Sequence, residues 1–424
     1  MLEITGTIAV DRRASFARRL SAFVGPGLLV AVGYMDPGNW ATGVAAGSAF
    51  GNSLLWVVAL SSAMAIVLQM LAARLGIASG RDLAQMCRAE YGHSTVIALW
   101  LLCELSICAT DLAEVIGTAM AFQLLFGIGI VHGVCLTALD AFLVLYLQRR
   151  GFRYLEAITA ALIATIIACF AFELALAHPS GASIVHGLAP DPQTFRDPAQ
   201  LYVAIGIVGA TVMPHNLYLH SAVVQTRRFD RDIDGKRDAA RLATFDLAGA
   251  LVLAMGVNAA ILILSASAFH TGTSSSPVEL RDAYRLISPA LGASAAGVAF
   301  GVGLLAAGKS STVTATLTGQ IVMEGFLSLR LRPWVRRAVT RALAIGPALI
   351  VVVIAGEHAL GRLLVLSQVV LSLQLPFAVI PLVRMTGDPA KMGALASPRW
   401  LRLAAWACAA MVIGLNVLAV AQLI

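Results

Sequence analysis

Tyr34-Met35-Asp36-Pro37-Gly38-Asn39-Trp40 lies in the middle of an otherwise apolar run over residues 24–49. A run of about 20 apolar residues crosses a hydrocarbon layer as a helix, so a carboxylate, a proline and a glycine at its centre need a reason. Proline removes a backbone donor and clashes with the preceding turn. Carbonyls freed at bilayer depth are tolerated only where they line a cavity or are otherwise satisfied. A second stretch, Ala210-Thr211-Val212-Met213-Pro214-His215-Asn216, breaks the run 200–225 in the same way, again about twelve residues in.

Composition agrees with a bilayer setting. The 424 residues are 59% hydrophobic and 12% charged, against about 45–50% and about 25% in soluble chains, and the mean hydropathy is +0.83. A water-soluble enzyme, a secreted disulfide scaffold and a disordered chain are excluded. Eleven spans are expected, at about 24–49, 53–73, 95–126, 129–148, 155–177, 200–225, 242–268, 287–327, 336–355, 359–383 and 400–423. With that count, 25 of the 30 basic residues fall on one side. Only Arg196, Arg281, Arg285 and Arg362 fall on the other, with Lys309 inside span 8. By the positive-inside rule the N-terminus is cytoplasmic and the C-terminus external. The net charge of +7 is therefore a topology signal, and the basic run 227–241 implies no nucleic-acid or protein partner. Five of the six cysteines lie in apolar runs and Cys87 in a basic loop, which suits neither disulfides nor zinc. Arg12, Arg13, Arg18 and Arg19 precede a long apolar run that contains Asp36, so the first span reads as retained rather than as a cleaved signal.

The two breaks open spans 1 and 6, which run in opposite directions. That is the plan of secondary transporters built from inverted repeats, with the substrate held between discontinuous helices. The expected organisation is a cytoplasmic segment 1–23, a first five-helix repeat 24–177, an external loop 178–199, an inverted repeat 200–383, and a loop with an eleventh helix over 384–424.

Asp36 is the leading clue, because an acid near the bilayer centre costs several kcal/mol unless solvated or paired; an isolated helix cap is the plainer alternative. With Asn39, Met213 and carbonyls freed near Gly33 and Ala210, it makes a mixed set of carboxylate, amide, carbonyl and thioether. Magnesium and calcium prefer oxygen alone, whereas a thioether favours softer transition metals. His215 and His220 either line the pathway or pack with hydrogen bonds. In span 3, Glu104, Asp111 and Glu114 are spaced by seven and three, which places them on one helical face. They read as a proton relay or as interhelical pairs with buried arginines. Asp140, Glu173, Asp246 and Glu324 read as structural or interfacial acids.

These stretches resemble the Nramp family of proton-coupled divalent metal transporters, in particular its bacterial MntH type, over nearly the whole chain. Asp36-Pro37-Gly38-Asn39 and Met213-Pro214-His215 are similar to its two hallmarks. The resemblance extends to Ala109-Thr110-Asp111-Leu112-Ala113-Glu114, to 319–326 (Gly319 through Phe326) and to Gln374-Leu375-Pro376-Phe377. It implies an all-α polytopic membrane protein with a LeuT-like 5+5 inverted repeat, an added eleventh helix and alternating access, in a bacterial inner membrane. It further implies that Asp36, Asn39, Met213 and the Ala210 and Gly33 carbonyls ligate the metal, with Gln368 joining when the site closes. Asp111 and Glu114 would carry protons, with His215 and a span-9 arginine, here Arg341. The ion is substrate, manganese or iron(II) moving with protons, and no permanently bound cofactor is expected. Gly308-Lys309-Ser310-Ser311 departs from the family's usual Gly-Gln-Ser-Ser, and Gly33 replaces a more usual alanine. A magnesium carrier of the same fold and a metal-permeable channel are the rival readings. An amino-acid symporter is disfavoured by Asp36, and an intramembrane hydrolase by the lack of an HExxH motif or a paired catalytic group.

Overall fold

The computed structural model describes residues 6–139, 146, 151–270, 277–329, 332–357 and 359–423. It is almost wholly helical, the exception being a two-residue parallel pairing of Ile8–Ala9 with Arg227–Arg228. Among the described residues nine helices are long and apolar enough to cross a membrane. Phe16–Phe23 and Pro26–Gly33, bent by 47°, make up to ten if taken together as one span, and of the expected fourth span only Ile130–Leu139 and Tyr146 are described. Asp140, Arg149 and Arg150 lie outside the described residues.

The order begins with α1 (Phe16–Phe23), α2 (Pro26–Gly33), α3 (Pro37–Phe50), α4 (Leu55–Ser79), α5 (Leu83–Glu90) and α6 (His93–Phe126). It continues with α7 (Ile130–Leu136), α8 (Phe152–Ala177), α9 (Pro198–Thr211), α10 (Pro214–Val223) and α11 (Ile233–Phe269). The rest comprises α12 (Leu280–Leu291), α13 (Ser294–Leu327), α14 (Pro333–Ala355), α15 (Ala359–Thr386) and α16 (Arg399–Leu423). Span 1 is thus α2 and α3, and span 6 is α9 and α10, each parted at the expected proline, which starts the second half-helix. The eighth span is shorter than read from sequence. Residues 287–291 belong to the separate helix α12, because Gly292 takes the left-handed conformation that ends it.

Packing is deepest around the broken helices: α3 and α10 are buried almost throughout. Outer faces of α14 and α16 stay apolar and exposed, as at Val353, Ile354 and Val417, which is what a lipid-facing surface requires.

The far end of α2 is clamped by polar groups. Asp246 accepts from the Gly25 and Gly27 amides at 3.3 and 2.7 Å. Arg227, fully buried, donates to the Phe23 and Val24 carbonyls and pairs with Glu156 at 2.8 Å. Arg153 donates to Ala22 and Val24. Gly25, at φ 143°, is the residue this crowding permits, since a Cβ there would lie 2.2 Å from Glu156 Oε1. Arg227 and Asp246, read from sequence as a topology residue and a structural or interfacial acid, hold the start of α2. Breaking a buried pair costs about 3–5 kcal/mol. Arg227→Gln should therefore lower the thermal unfolding midpoint in detergent sharply, and Glu156→Gln less, because Arg227 keeps its carbonyl partners.

Candidate functional site

Asp36 ends the break in span 1 as the N-cap of α3. Its Oδ1 accepts from the Asn39 amide N–H at 2.8 Å, and Pro37 follows at the first helical turn. This is the capping role weighed for it, but the cap uses one oxygen only. Oδ2 is buried with no hydrogen-bond partner among the described residues.

Asn39 stands one turn on, and its side-chain nitrogen gathers three oxygens. It donates to Asp36 Oδ1 at 2.8 Å, to the Ala210 carbonyl at 3.1 Å and to the Gly33 carbonyl at 3.4 Å. Carbonyls freed by both breaks therefore meet the same amide nitrogen as the Asp36 carboxylate, and that amide joins the two discontinuous helices at one point. Met213, fully buried at the break of span 6, packs with Ala109 and Leu371, and its sulfur accepts from Asn216 at 3.7 Å. A Cβ on Gly33 would lie 2.3 Å from Asn216 Nδ2 and 3.3 Å from Met213 Sδ. Glycine at 33 thus gives room as well as a carbonyl. Gln368, on α15, lies against Gly38, where a Cβ would fall 2.1 Å from its Nε2.

Asn258 on α11 is a residue the sequence reading missed. It donates to the Tyr34 carbonyl at 2.9 Å and to Asn39 Oδ1 at 3.3 Å, fixing which way the Asn39 amide faces. An isolated asparagine in a long apolar run was the available signal. Among the described residues no three His, Cys, Asp or Glu side chains converge as a metal cluster. A cation held here must rely on the mixed donor set.

Asp111 and Glu114 form a second centre with α14. Arg337 donates to Asp111 at 2.6 Å and lies 3.5 Å from Glu114, all three side chains being buried. Arg341 is also present, 3.5 Å from Glu114 and donating to Thr312 at 2.9 Å, while Thr312 donates to Glu114 at 2.9 Å. Arg337 makes the shorter contact, although from sequence it counted among the orientation-setting arginines. Glu104 stands apart from this pair, held by Arg336 at 2.9 and 3.0 Å. His215, the second residue of α10, is buried with Nδ1 unpaired among the described residues. His220 Nδ1 donates to Gln69 Oε1 at 3.0 Å, and Gln69 donates to the Tyr34 hydroxyl at 2.9 Å. Lys309 holds its ammonium 4.9 Å from the Phe122 ring centroid. Glu173 lies buried on the core face of α8 with neither oxygen hydrogen-bonded among the described residues, and nothing in the structure explains it.

On the side of the breaks remote from the α2 clamp, a cavity of about 310 Å³ opens between α3, α9 and α15, lined by Ala41, Ala45, Tyr202, Glu279 and Arg362. Asp36, Asn39, Ala210, Met213 and Gln368 are themselves buried and do not line this cavity.

A family model described as "Natural resistance-associated macrophage protein-like" matches residues 27–422. The chain belongs to the Nramp family. It is a family of membrane transporters, not of enzymes. The chain is 57% identical to "Divalent metal cation transporter MntH" of Xylella fastidiosa, across 98% of itself and 88% of that protein. A mutant of the Eremococcus coleocola manganese transporter superposes with a TM-score of 0.91 at 39% identity, over all of this chain and 90% of the other. Mhp1, a nucleobase-cation-symport-1 transporter, is similar at a TM-score of 0.61 and 16% identity over 94% of this chain and 91% of its own. That last likeness is one of fold, the LeuT-like arrangement that the family resemblance implies.

The tight contact of Gly38 with Gln368 gives a direct test of the site's packing. Overpacking a well-filled region costs about 1–3 kcal/mol, so Gly38→Ala should destabilise the protein by about that much. Adding Gln368→Ala should restore most of it, a non-additivity that a thermal double-mutant cycle reads out.

Proposed function

We propose that this Nramp protein imports divalent transition metals into the cytoplasm together with protons, by alternating access, with manganese and iron(II) as physiological cargo and cadmium accepted. Carriage of a divalent metal cation is what its relatives' names state and the part on which the rest builds. The observation that carries the reading is the meeting of Gly33 O, Asp36 Oδ1 and Ala210 O on one Asn39 amide, with the Met213 thioether beside them.

Asp36, Asn39, Met213 and the Gly33 and Ala210 carbonyls ligate the ion in this reading. A cation entering the cradle takes the three oxygens from the Asn39 NH₂, and a turn of that amide then offers its oxygen. Gln368 joins as the site closes. The thioether favours soft, borderline ions over magnesium, which argues against the magnesium carrier. One carboxylate leaves a divalent ion under-neutralised, which favours coupling to a second charge movement. Asp111 and Glu114, held beside Arg337 and Arg341, are suited to take that proton, with His215 assisting. His220, bonded to Gln69 and through it to Tyr34, and Glu104, paired with Arg336, are assigned to the pathway as further titratable groups in this reading. The basic residues favour a cytoplasmic N-terminus and an external C-terminus in a bacterial inner membrane, with repeats over 24–177 and 200–383.

Uptake by proteoliposomes tests both centres. Asp36→Ala is expected to abolish manganese transport, and full transport by that variant would remove the proposed site. Met213→Ala should keep manganese uptake, lose cadmium preference and admit magnesium or calcium. For the relay, Asp111→Asn should lower metal-driven proton flux by an order of magnitude or more. Undiminished proton flux in Asp111→Asn would remove the span-3 relay, and uptake indifferent to a pH gradient in the wild type would favour a channel.

A further inference from the structure

The outward stripe of α11 runs through Arg237, Arg241, Phe245, Val252 and Leu253, all exposed. Apolar residues on a span face acyl chains, and long cations at its end reach the headgroups. The edge of the hydrocarbon layer therefore falls between Phe245 and Arg241. The short helix α1 is packed at that level. Phe16 meets Phe245 edge-on at 5.5 Å, and the Arg241 guanidinium lies over both rings, at 5.5 and 5.8 Å. Arg13 and Arg18 are exposed on the same segment.

The acids nearby are engaged elsewhere. Asp230 and Asp232 face Arg12, Asp234 faces Arg12 and Arg237, and Asp238 pairs with Arg19. Arg241 lies within salt-bridge reach of no acid among the described residues. It offers its N–H groups at headgroup depth while the rings beneath it stay apolar. A cation set over an apolar base at a bilayer edge matches an anionic lipid, with phosphate above and acyl chain below.

We propose that α1 is an interfacial anchor, docked on acidic phospholipid headgroups through Arg241, Arg18 and the Phe16–Phe245 pair. Val24 and Gly25 are the whole connection from α1 to α2, so the lipid surface restrains the half-helix that ends at the Gly33 carbonyl. The proposal stands apart from the identity of the transported ion.

Hydrogen exchange on the full chain in nanodiscs tests it. Peptides covering residues 13–24 should exchange about fivefold more slowly in discs containing phosphatidylglycerol than in phosphatidylcholine alone, the size one arginine contributes at an anionic surface. Arg241→Gln should remove the difference, and Arg285→Gln, at the opposite end of the spans, should leave it. Equal exchange of the wild type in both discs overturns the proposal. So does loss of the effect in both variants, which indicates diffuse charge, and so does equal protection by inorganic phosphate in phosphatidylcholine discs.

Discussion

Backbone polar groups at bilayer depth must find partners, and the two proline breaks release several of them. Asn39 meets that demand at the centre of the molecule, tying Gly33 and Ala210 to Asp36 through one nitrogen. Everything near the site is arranged around this knot. Asn258 orients the amide, Gly33 and Gly38 leave room for Asn216 and Gln368, and α3 and α10 are buried nearly whole. The groups that satisfy the backbone are also the groups proposed to hold the metal ion, so the proposed site is latent in the requirement that the breaks be stable.

The charged centre between α6 and α14 obeys a different rule. Two acids and two arginines are buried together. Each charge is affordable only because the opposite charge lies within reach, and removing one member strands the rest. That interdependence suits a place where a proton is added or withdrawn. It also holds two spans in fixed register, so the structural and relay readings of the acids are complementary.

The broken helices, the span order and the polar face of span 3 were legible in the sequence, since proline, acid spacing and hydropathy act locally. Arginine roles were harder to read. Arg227, Arg336 and Arg337 carry the same topological signal as exposed arginines, and only the packed structure shows them buried against Glu156, Glu104 and Asp111. A charge-sorting rule counts residues per side and is blind to depth. Asn258 was missed for a related reason, because a lone amide announces no partner until two helices meet. The end of α12 needed the conformation of Gly292, which periodicity does not encode.

The hydrogen-bonded line from Tyr34 through Gln69 to His220 joins both discontinuous helices to the unbroken α4. Neither half-helix can swing relative to α4 without cutting a bond to the one Gln69 side chain that both share. Such a bolt discourages independent motion of the two arms, and independent motion is how a carrier leaks. Under the proposed proton coupling, ions slipping through without cargo would dissipate the gradient. Three polar side chains in a row thus bear on thermodynamic efficiency, separately from affinity or selectivity.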